Sequence, residues 1–373
     1  MPNPVDPASY SSRILLAVTG LSPQILTETL YALVVQGQPA FVPTRIEVLT
    51  TTAGRRLAIR SLLAPESGAF LNFCREYGIS ELAGALTGDS IQVMSDNNGR
   101  PLADIRTLRD SATAADAIVA RVRALTGDPE CALHVSIAGG RKTMGFLAGH
   151  ALSLFGRPQD RLSHVLVAEP FLTLSDFFFP PREPRSLHDR AGALISTADA
   201  DLTLAEIPFL RLREHLPPGI QAPGRAYTET IALAQAALDP MLEIDLRRRF
   251  TRFGGRALHL PPAELAWLAW MAERRRDPAL PHGGALHWTE MHPPDLFRLY
   301  ARVAAPKDVD RLRRALAKDD AKTLFEQRTA KLNKLVRDGL GPAAAPYMLR
   351  SDRHRPRSRT GLTLSPERIW LTL

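Results

Sequence analysis

Residues 136–143 of the chain read SIAGGRKT. The apolar run that leads into them, residues 132–138, has the composition of a buried strand, and residues 144–155 have the spacing of a helix. A strand that turns through two glycines into a helix is typical of an open parallel sheet. The backbone N–H groups at the start of such a helix form a candidate site for an anion.

The same alternation of strand and helix runs through the first half of the chain. Strands are predicted at residues 14–18, 45–50, 91–94, 132–138 and 163–167. Helical patterns lie between them, at residues 22–37, 53–63, 113–127 and 141–156. This predicts an α/β fold with a doubly wound, mainly parallel sheet over roughly residues 10–170.

The turns after the first and fourth strands form the candidate site. In the common strand order 3-2-1-4-5 these strands are neighbours, and ligands bind beyond their carboxyl ends. One turn offers hydroxyls and an amide. The other offers two cations, and its glycines let the backbone approach a ligand closely. The residues concerned are Thr19, Ser22, Gln24, Gly139, Gly140, Arg141 and Lys142. They predict a pocket for a phosphate or phosphodiester.

Two nucleotide-binding motifs are excluded. The P-loop G-x-x-x-x-G-K-[ST] fails because Arg141 separates Gly140 from Lys142 and Val135 stands where the first glycine belongs. The dinucleotide fingerprint is missing because Gly20 is alone in the first turn. The two turns contain no carboxylate cluster, so no metal and no cofactor are predicted.

Length and composition predict two domains in a cytoplasmic protein. The chain has 373 residues, of which 45% are apolar, and this is enough for more than one core. Its apolar runs fall short of the roughly 20 residues that cross a bilayer, and no signal pattern is visible at the N-terminus. The two cysteines, Cys74 and Cys131, are interpreted as buried small residues.

The positive charge is concentrated in the last part of the chain. From residue 300 onward there are 17 Lys and Arg against 8 Asp and Glu, a balance of +9, whereas the whole chain carries +8. Two strands around Gly254-Gly255, a helix at residues 261–276, a basic amphipathic helix and a strand pair around a basic turn at 353–359 resemble a winged helix-turn-helix domain. That fold predicts DNA binding, and a solvated basic surface is the alternative.

The predicted domains are residues 1–183, a connector at 184–226, and residues 227–373. Residues 169–184, EPFLTLSDFFFPPREP, are predicted to form a hairpin that packs on the sheet or on a second subunit.

Four separated stretches resemble one known family. They are ILLAVTGLSPQILTETLYAL, PLADIRT, LHVSIAGGRKTMGFLAGHALSLFGR and DRLSHVLV. Together, over roughly residues 12–215, they resemble the CARF domain of the CRISPR-associated ring nucleases of type III systems. The resemblance implies a Rossmann-like homodimer whose two pockets bind cyclic oligoadenylate, most often the four-adenylate ring.

The resemblance also implies a reaction, in which a ribose 2′-hydroxyl of the ligand attacks the adjacent phosphorus without a metal. The linear products end in 2′,3′-cyclic phosphate, and their formation switches off the antiviral signal. Lys142 would stabilise the transition state, and Ser22, or also Thr19, would hold the scissile phosphate. The other implied ligand contacts are Gly20, Gln24, Gly139, Gly140, Arg141 and Thr143.

Two other functions compete with this one. The ring could regulate DNA binding by the basic C-terminal domain, as in a transcription regulator. It could instead activate a HEPN ribonuclease, whose motif is Arg-x4-6-His. Pairs with that spacing are Arg252 with His259, Arg276 with His282 and Arg182 with His188, and they fall on a predicted hairpin or on proline-containing stretches.

Overall fold

The chain forms two compact units in the computed structural model, which describes residues 5–318, 321–352 and 357–373. The first unit extends to Glu214 and includes Gln221–Tyr227. The second contains His215–Ile220 and Thr228–Leu373.

A six-stranded sheet forms the centre of the first unit. The strands of this unit are β1 (Ser12–Val18), β2 (Arg45–Thr50), β3 (Ile91–Val93), β4 (Cys131–Ser136), β5 (Arg161–Val167), β6 (Ser186–His188), β7 (Leu194–Ser196) and β8 (Leu202–Glu206). The sheet order is β3-β2-β1-β4-β5-β8, and β6 pairs with β7 in a separate hairpin. The five strands from β1 to β5 are parallel, and β8 is antiparallel to β5. The predicted mainly parallel α/β sheet and its strand order are confirmed.

Five helices connect the strands of this sheet. They are α1 (Gln24–Leu30), which continues as a π-helix (Tyr31–Gln36), α2 (Thr52–Leu62), α3 (Ala69–Tyr77), α4 (Leu108–Leu125) and α5 (Lys142–Phe155). All but α3 overlap the predicted helices. A capping box fixes the start of α4, since the Thr107 hydroxyl accepts from the Asp110 N–H at 3.1 Å and the Asp110 carboxylate accepts from the Thr107 N–H at 2.9 Å.

The prediction of a hairpin within residues 169–184 is wrong. This segment holds a single 3-10 turn (Phe171–Thr173), and the β6–β7 hairpin follows it. Its prolines lack the N–H groups that a strand ladder requires. Phe171 and Phe177 are instead buried against the sheet, next to Val165 and Val167. The segment predicted as a connector also contains β8, which forms the edge of the central sheet.

The second unit packs helices on a small sheet. Its strands are β9 (Leu242–Asp245), β10 (Phe250–Phe253), β11 (Arg256–Ala257), β12 (Arg350–Ser351), β13 (Thr360–Gly361) and β14 (Ile369–Thr372). Its helices are α6 (which begins in the first unit, Tyr227–Leu238), α7 (Pro262–Arg276), α8 (Pro293–Tyr300), α9 (Pro306–Lys318) and α10 (Ala321–Leu340). The core surrounds α7, where Trp267 and Trp270 are fully buried.

The elements predicted for this region are present. The strands around Gly254-Gly255, the helix at 261–276, the amphipathic helix and the antiparallel pair β12–β13 all occur. Residues 353–356 of the predicted basic turn lie outside the described residues. Over the described part of the chain, no helix combines the length and apolar character that crossing a bilayer requires. Cys74 and Cys131 are buried thiols, as predicted.

Candidate anion site

The loops that follow β1 and β4 touch through their glycines. A Cβ atom placed on Gly20 would lie 3.2 Å from the Cα atom of Gly140, and one placed on Gly140 would lie 3.2 Å from the Gly20 nitrogen. Gly140 also has a φ of +84°, which side-chain-bearing residues rarely adopt. The two loops therefore meet at the sheet's reversal of strand order, where the topology predicted a ligand site.

Thr19 shapes the first loop from within. Its side chain is only 3% exposed, and its hydroxyl donates to the Ser22 carbonyl at 3.2 Å. A Cβ atom on Gly139 would lie 2.5 Å from that hydroxyl oxygen, so Gly139 is required for the close packing of the loops. Thr19 was predicted to contact the ligand, but in this structure its hydroxyl is used to close the turn.

Gln24 is also directed away from the loop surface. It is the first residue of α1, and its amide nitrogen donates to the Ser175 carbonyl at 3.2 Å. Its amide oxygen is buried and has no hydrogen-bond partner among the described residues. Gln24 thereby connects the first loop to the aromatic segment that packs on the sheet.

The start of α5 presents two cations in different states. Arg141 is the N-cap residue, and its side chain makes no capping bond to the helix. Its Nη2 atom instead donates to the Asp104 carboxylate oxygen Oδ2 at 3.1 Å. Lys142 and Thr143 are exposed in the first turn, and no described carboxylate pairs with Lys142. The helix N-terminus and Lys142 therefore both remain available to an anion.

A cavity of about 780 Å³ opens beside these loops. Gly20 and Ser22 line it from the loop after β1, and Gly140 and Arg141 line it from the loop after β4. Thr51, the first residue after β2, also contributes. The cavity thus lies at the carboxyl ends of the strands, and its volume is in the range of ligand pockets. Five of the predicted contact residues are not part of its lining, namely Thr19, Gln24, Gly139, Lys142 and Thr143.

The opposite wall is the segment between β3 and α4, which sequence reasoning did not assign to the site. With the start of α4 it contributes three arginines and three aspartates to the lining, and Arg141 is the fourth arginine. These residues are Arg100, Arg106, Arg109, Asp96, Asp104 and Asp110. The stretch PLADIRT at residues 101–107 supported the family resemblance, and it was the signal that could have identified this wall.

The aspartates of this wall are ionised and already hydrogen-bonded. The Arg106 side chain, the Ile105 N–H and Arg141 lower the pKa of Asp104 to about 2. The Arg100 N–H is the main cause that lowers the pKa of Asp96, and the Arg106 N–H is the main cause for Asp110. These carboxylates are therefore poor general bases at neutral pH. The described residues also contain no group of three His, Cys, Asp or Glu side chains that could hold a metal.

A comparison with known families identifies the chain. The model of the family described as CRISPR-associated protein NE0113 matches residues 22–231, which is more than half of the chain. The chain belongs to this CRISPR-associated family. The match begins at Ser22 in the first candidate loop and ends at Ile231 in α6. No curated protein matches the chain.

Helix α10 of this NE0113-family protein carries two pairs of cations, one paired with a buried carboxylate and the other exposed. Arg328 and Lys331 on α10 lie 2.8 and 3.0 Å from Glu264, a carboxylate that is 1% exposed on α7. Lys334 and Arg337 lie further along α10 and are exposed. The first pair therefore neutralises a buried charge, and the second pair can meet a partner.

The Arg-His pairs of the ribonuclease hypothesis do not share a helix. In two pairs at least one residue is in a strand or a loop, and in the third His282 lies in a separate 3-10 turn (Pro281–Gly284). Arg252 lies in β10 and His259 follows β11, Arg276 ends α7 before His282, and Arg182 lies in a loop before His188 in β6.

Proposed function

We propose that this NE0113-family protein is a ring nuclease that binds cyclic oligoadenylate, most often the four-adenylate ring, and opens it. One observation carries the proposal. The loops of Gly20 and Gly140 are in contact, and Ser22 and Arg141 from these loops line the same cavity. Lys142 follows Arg141 directly, at the start of α5, which has no side-chain cap. Such a site suits a phosphodiester, because it offers a hydroxyl, backbone N–H groups and cations but no carboxylate that lacks a partner.

The proposed reaction is an internal transesterification. The 2′-oxygen of one ribose forms a bond to the adjacent phosphorus, and the bond from phosphorus to the 5′-oxygen breaks. The 2′-hydroxyl loses its proton, and the leaving 5′-oxygen gains one. The product is a linear adenylate with a 2′,3′-cyclic phosphate at one end and a 5′-hydroxyl at the other, and its formation ends the signal.

Three residues have distinct parts in this proposal. Lys142, which has no carboxylate partner among the described residues, stabilises the charge that develops on the phosphorane-like transition state. The exposed Ser22 hydroxyl donates to an oxygen of the scissile phosphate. Thr19 holds the loop that presents Ser22, through its bond to the Ser22 carbonyl. Catalysis then rests on orientation and on charge stabilisation.

We also propose that the protein acts as a homodimer, because the cavity of one chain is open to solvent and a ring has several equivalent phosphates. Two pockets facing each other across a two-fold axis would contact the ring from both sides. Light scattering with and without the ring measures the oligomeric state.

The test is a cleavage assay with cyclic tetra-adenylate in EDTA. We expect linear adenylates with 2′,3′-cyclic phosphate ends. Lys142→Ala should reduce the single-turnover rate by roughly 100- to 1000-fold, as removal of a transition-state donor does. Glu130→Gln, an exposed change directly before β4 and thus at the amino ends of the strands, opposite the candidate site, is the control. A ring that stays intact on long incubation, or full activity in Lys142→Ala, would contradict the proposal.

A second candidate is a ring-controlled transcription regulator. It is favoured by α10, which exposes Lys334 and Arg337 and precedes the antiparallel pair β12–β13, as a recognition helix precedes the wing in a winged helix-turn-helix domain. A gel shift at several salt concentrations, with and without the ring, tests it. The absence of salt-sensitive DNA binding in both conditions would reject this candidate. Among the described residues, no comparable observation favours the HEPN ribonuclease.

A further inference from the structure

Asp104 connects the two arginines that face the cavity from opposite walls. Its carboxylate accepts from the Arg106 side chain at 2.9 Å and from Arg141 at 3.1 and 3.2 Å. Arg106 belongs to the segment after β3, whereas Arg141 belongs to the loop after β4. All three side chains line the cavity.

We infer that Asp104 occupies the place of a ligand phosphate, and that an anionic ligand binds by displacing it from Arg106 and Arg141. This inference rests on the proposed function insofar as the ligand is a cyclic oligoadenylate. A carboxylate and a phosphate present the same pattern of oxygens to a guanidinium group, so one can replace the other without rearrangement of the arginine.

The position of Asp104 permits the exchange. On one side of it, the Leu102 N–H donates to the Met94 carbonyl at 2.8 Å, and the Leu102 carbonyl accepts from the Thr52 N–H at 2.9 Å. On the other side, the Arg106 N–H donates to the Asp110 carboxylate at 3.0 Å. Apart from the arginines, the Asp104 carboxylate has one partner among the described residues, the Ile105 N–H at 2.7 Å. Its side chain can therefore turn away while the segment stays anchored.

The consequence is that Asp104 lowers the affinity of the pocket for anions. The lining holds four arginines and three aspartates, so removal of one carboxylate raises its formal charge from +1 to +2. Asp104 stays ionised at neutral pH, since Arg106, the Ile105 N–H and Arg141 lower its pKa to about 2. Ligand binding, and not a change of pH, is then the event that separates Asp104 from Arg141.

An opposite role would give an opposite sign. A carboxylate that positions Arg141 for the ligand improves binding, so its removal weakens affinity. A carboxylate that competes with the ligand weakens binding, so its removal strengthens affinity. The direction of the change in Kd therefore distinguishes the two roles.

The test is titration calorimetry on the full chain with Asp104→Asn. Two probes are used: inorganic pyrophosphate, and the ring of four 2′-deoxyadenylates, which has no 2′-hydroxyl to attack phosphorus. We expect Asp104→Asn to bind each probe about tenfold more tightly, since the probe no longer has to displace a carboxylate from the two arginines. We also expect a steeper dependence of Kd on salt, because the anion meets a lining with a net formal charge of +2 instead of +1.

Two variants serve as controls. Asp104→Glu keeps the charge and should stay within about threefold of the wild type, a difference of less than 1 kcal/mol. Glu130→Gln removes the same charge at the amino ends of the strands, away from the cavity, and should leave Kd unchanged. If Asp104→Asn does not fold, as judged by its melting temperature, Asp104→Ser removes the same charge with a different side chain.

Unchanged or weaker binding in the charge-removing variant overturns the inference, and so does a wild type and variant that bind neither probe. The proposed function fails separately. If pyrophosphate binds and Asp104→Asn tightens it, but cyclic tetra-adenylate is neither bound nor cleaved, the exchange at Asp104 stands and the ring nuclease does not.

Discussion

The contact between the two candidate loops predicts that a single methyl group at Gly140 should damage both stability and function. Gly140→Ala forces a side-chain-bearing residue to adopt a φ of +84°, which costs about 1–2 kcal/mol. The new Cβ atom also lies 3.2 Å from the Gly20 nitrogen and 3.3 Å from the Thr19 carbonyl carbon. These are backbone atoms, and the Met144 sulfur lies 3.0 Å away, so the loops must shift by a few tenths of an ångström, at a further cost of about 1 kcal/mol or more.

Two other glycines separate these contributions. Gly78, at the end of α3, has a φ of +67° but open space around its Cβ position, so Gly78→Ala should lose only about 1 kcal/mol. Gly20→Ala adds the contact with Gly140, and its φ is not in the left-handed range. We expect Gly140→Ala to lower the melting temperature of the first unit by about 2–4 °C more than Gly78→Ala does, because the two share the cost of the left-handed φ and differ by the loop contact, about 1 kcal/mol.

Differential scanning calorimetry measures the melting temperatures, and the EDTA cleavage assay measures activity. Gly140→Ala and Gly20→Ala should both reduce cleavage, because they separate Ser22 from Arg141. Gly78→Ala should leave cleavage unchanged. Two results would contradict this prediction: Gly140→Ala that is no more destabilising than Gly78→Ala, or Gly20→Ala that keeps full cleavage activity.

Two buried carboxylates give further predictions. Burial raises the pKa of Glu28 in α1 from 4.5 to about 7, so the stability that its protonated form provides is present below pH 4.5 and is lost as the pH rises to about 7. Glu28→Gln should therefore raise the free energy of unfolding at pH 8 by up to about 3 kcal/mol and change it little at pH 4, as urea titrations at both pH values would reveal. Glu264→Gln removes the carboxylate that Arg328 and Lys331 contact and should destabilise the second unit by about 1.5–3 kcal/mol, the contribution of a hydrogen bond to a charged group. Arg328→Ala should cost less stability, because Lys331 still pairs with Glu264. If calorimetry shows the same loss of stability for both variants, Lys331 cannot replace Arg328 as the partner of Glu264.

The parallel sheet could be predicted because its signals are local. Strands such as β1 and β4 are covered on both faces, so they appear as continuous apolar runs, and the glycines between strand and helix mark the turns. α3 was not predicted, although Phe70, Phe73, Cys74 and Tyr77 have helical spacing. β8 was not predicted because it is short and half exposed, and its partner β5 lies beyond an intervening hairpin.

The candidate site was predictable only in part, for a similar reason. Gly20 and Gly140 could be placed together from strand order alone, because the carboxyl ends of neighbouring parallel strands meet. The contact between Asp104 and Arg141 joins residues 37 positions apart through an irregular segment. The path of that segment depends on tertiary contacts such as the bonds of Leu102 to Met94 and Thr52, and no periodicity in the sequence encodes them.

The two adjacent cations at the start of α5 are suited to different stages of the proposed reaction. Arg141 is held by Asp104 and reaches the ligand only by exchanging one anion for another, so its contact contributes to ground-state binding and equally to the transition state. Lys142 has no carboxylate partner among the described residues, so it is free to interact with the charge that develops only as the phosphorus becomes five-coordinate. Changes at Asp104 should therefore act mainly on KM, whereas Lys142→Ala should act mainly on kcat. A chain with two arginines at these positions would bind the ring but would present a planar, delocalised charge where a compact ammonium is needed.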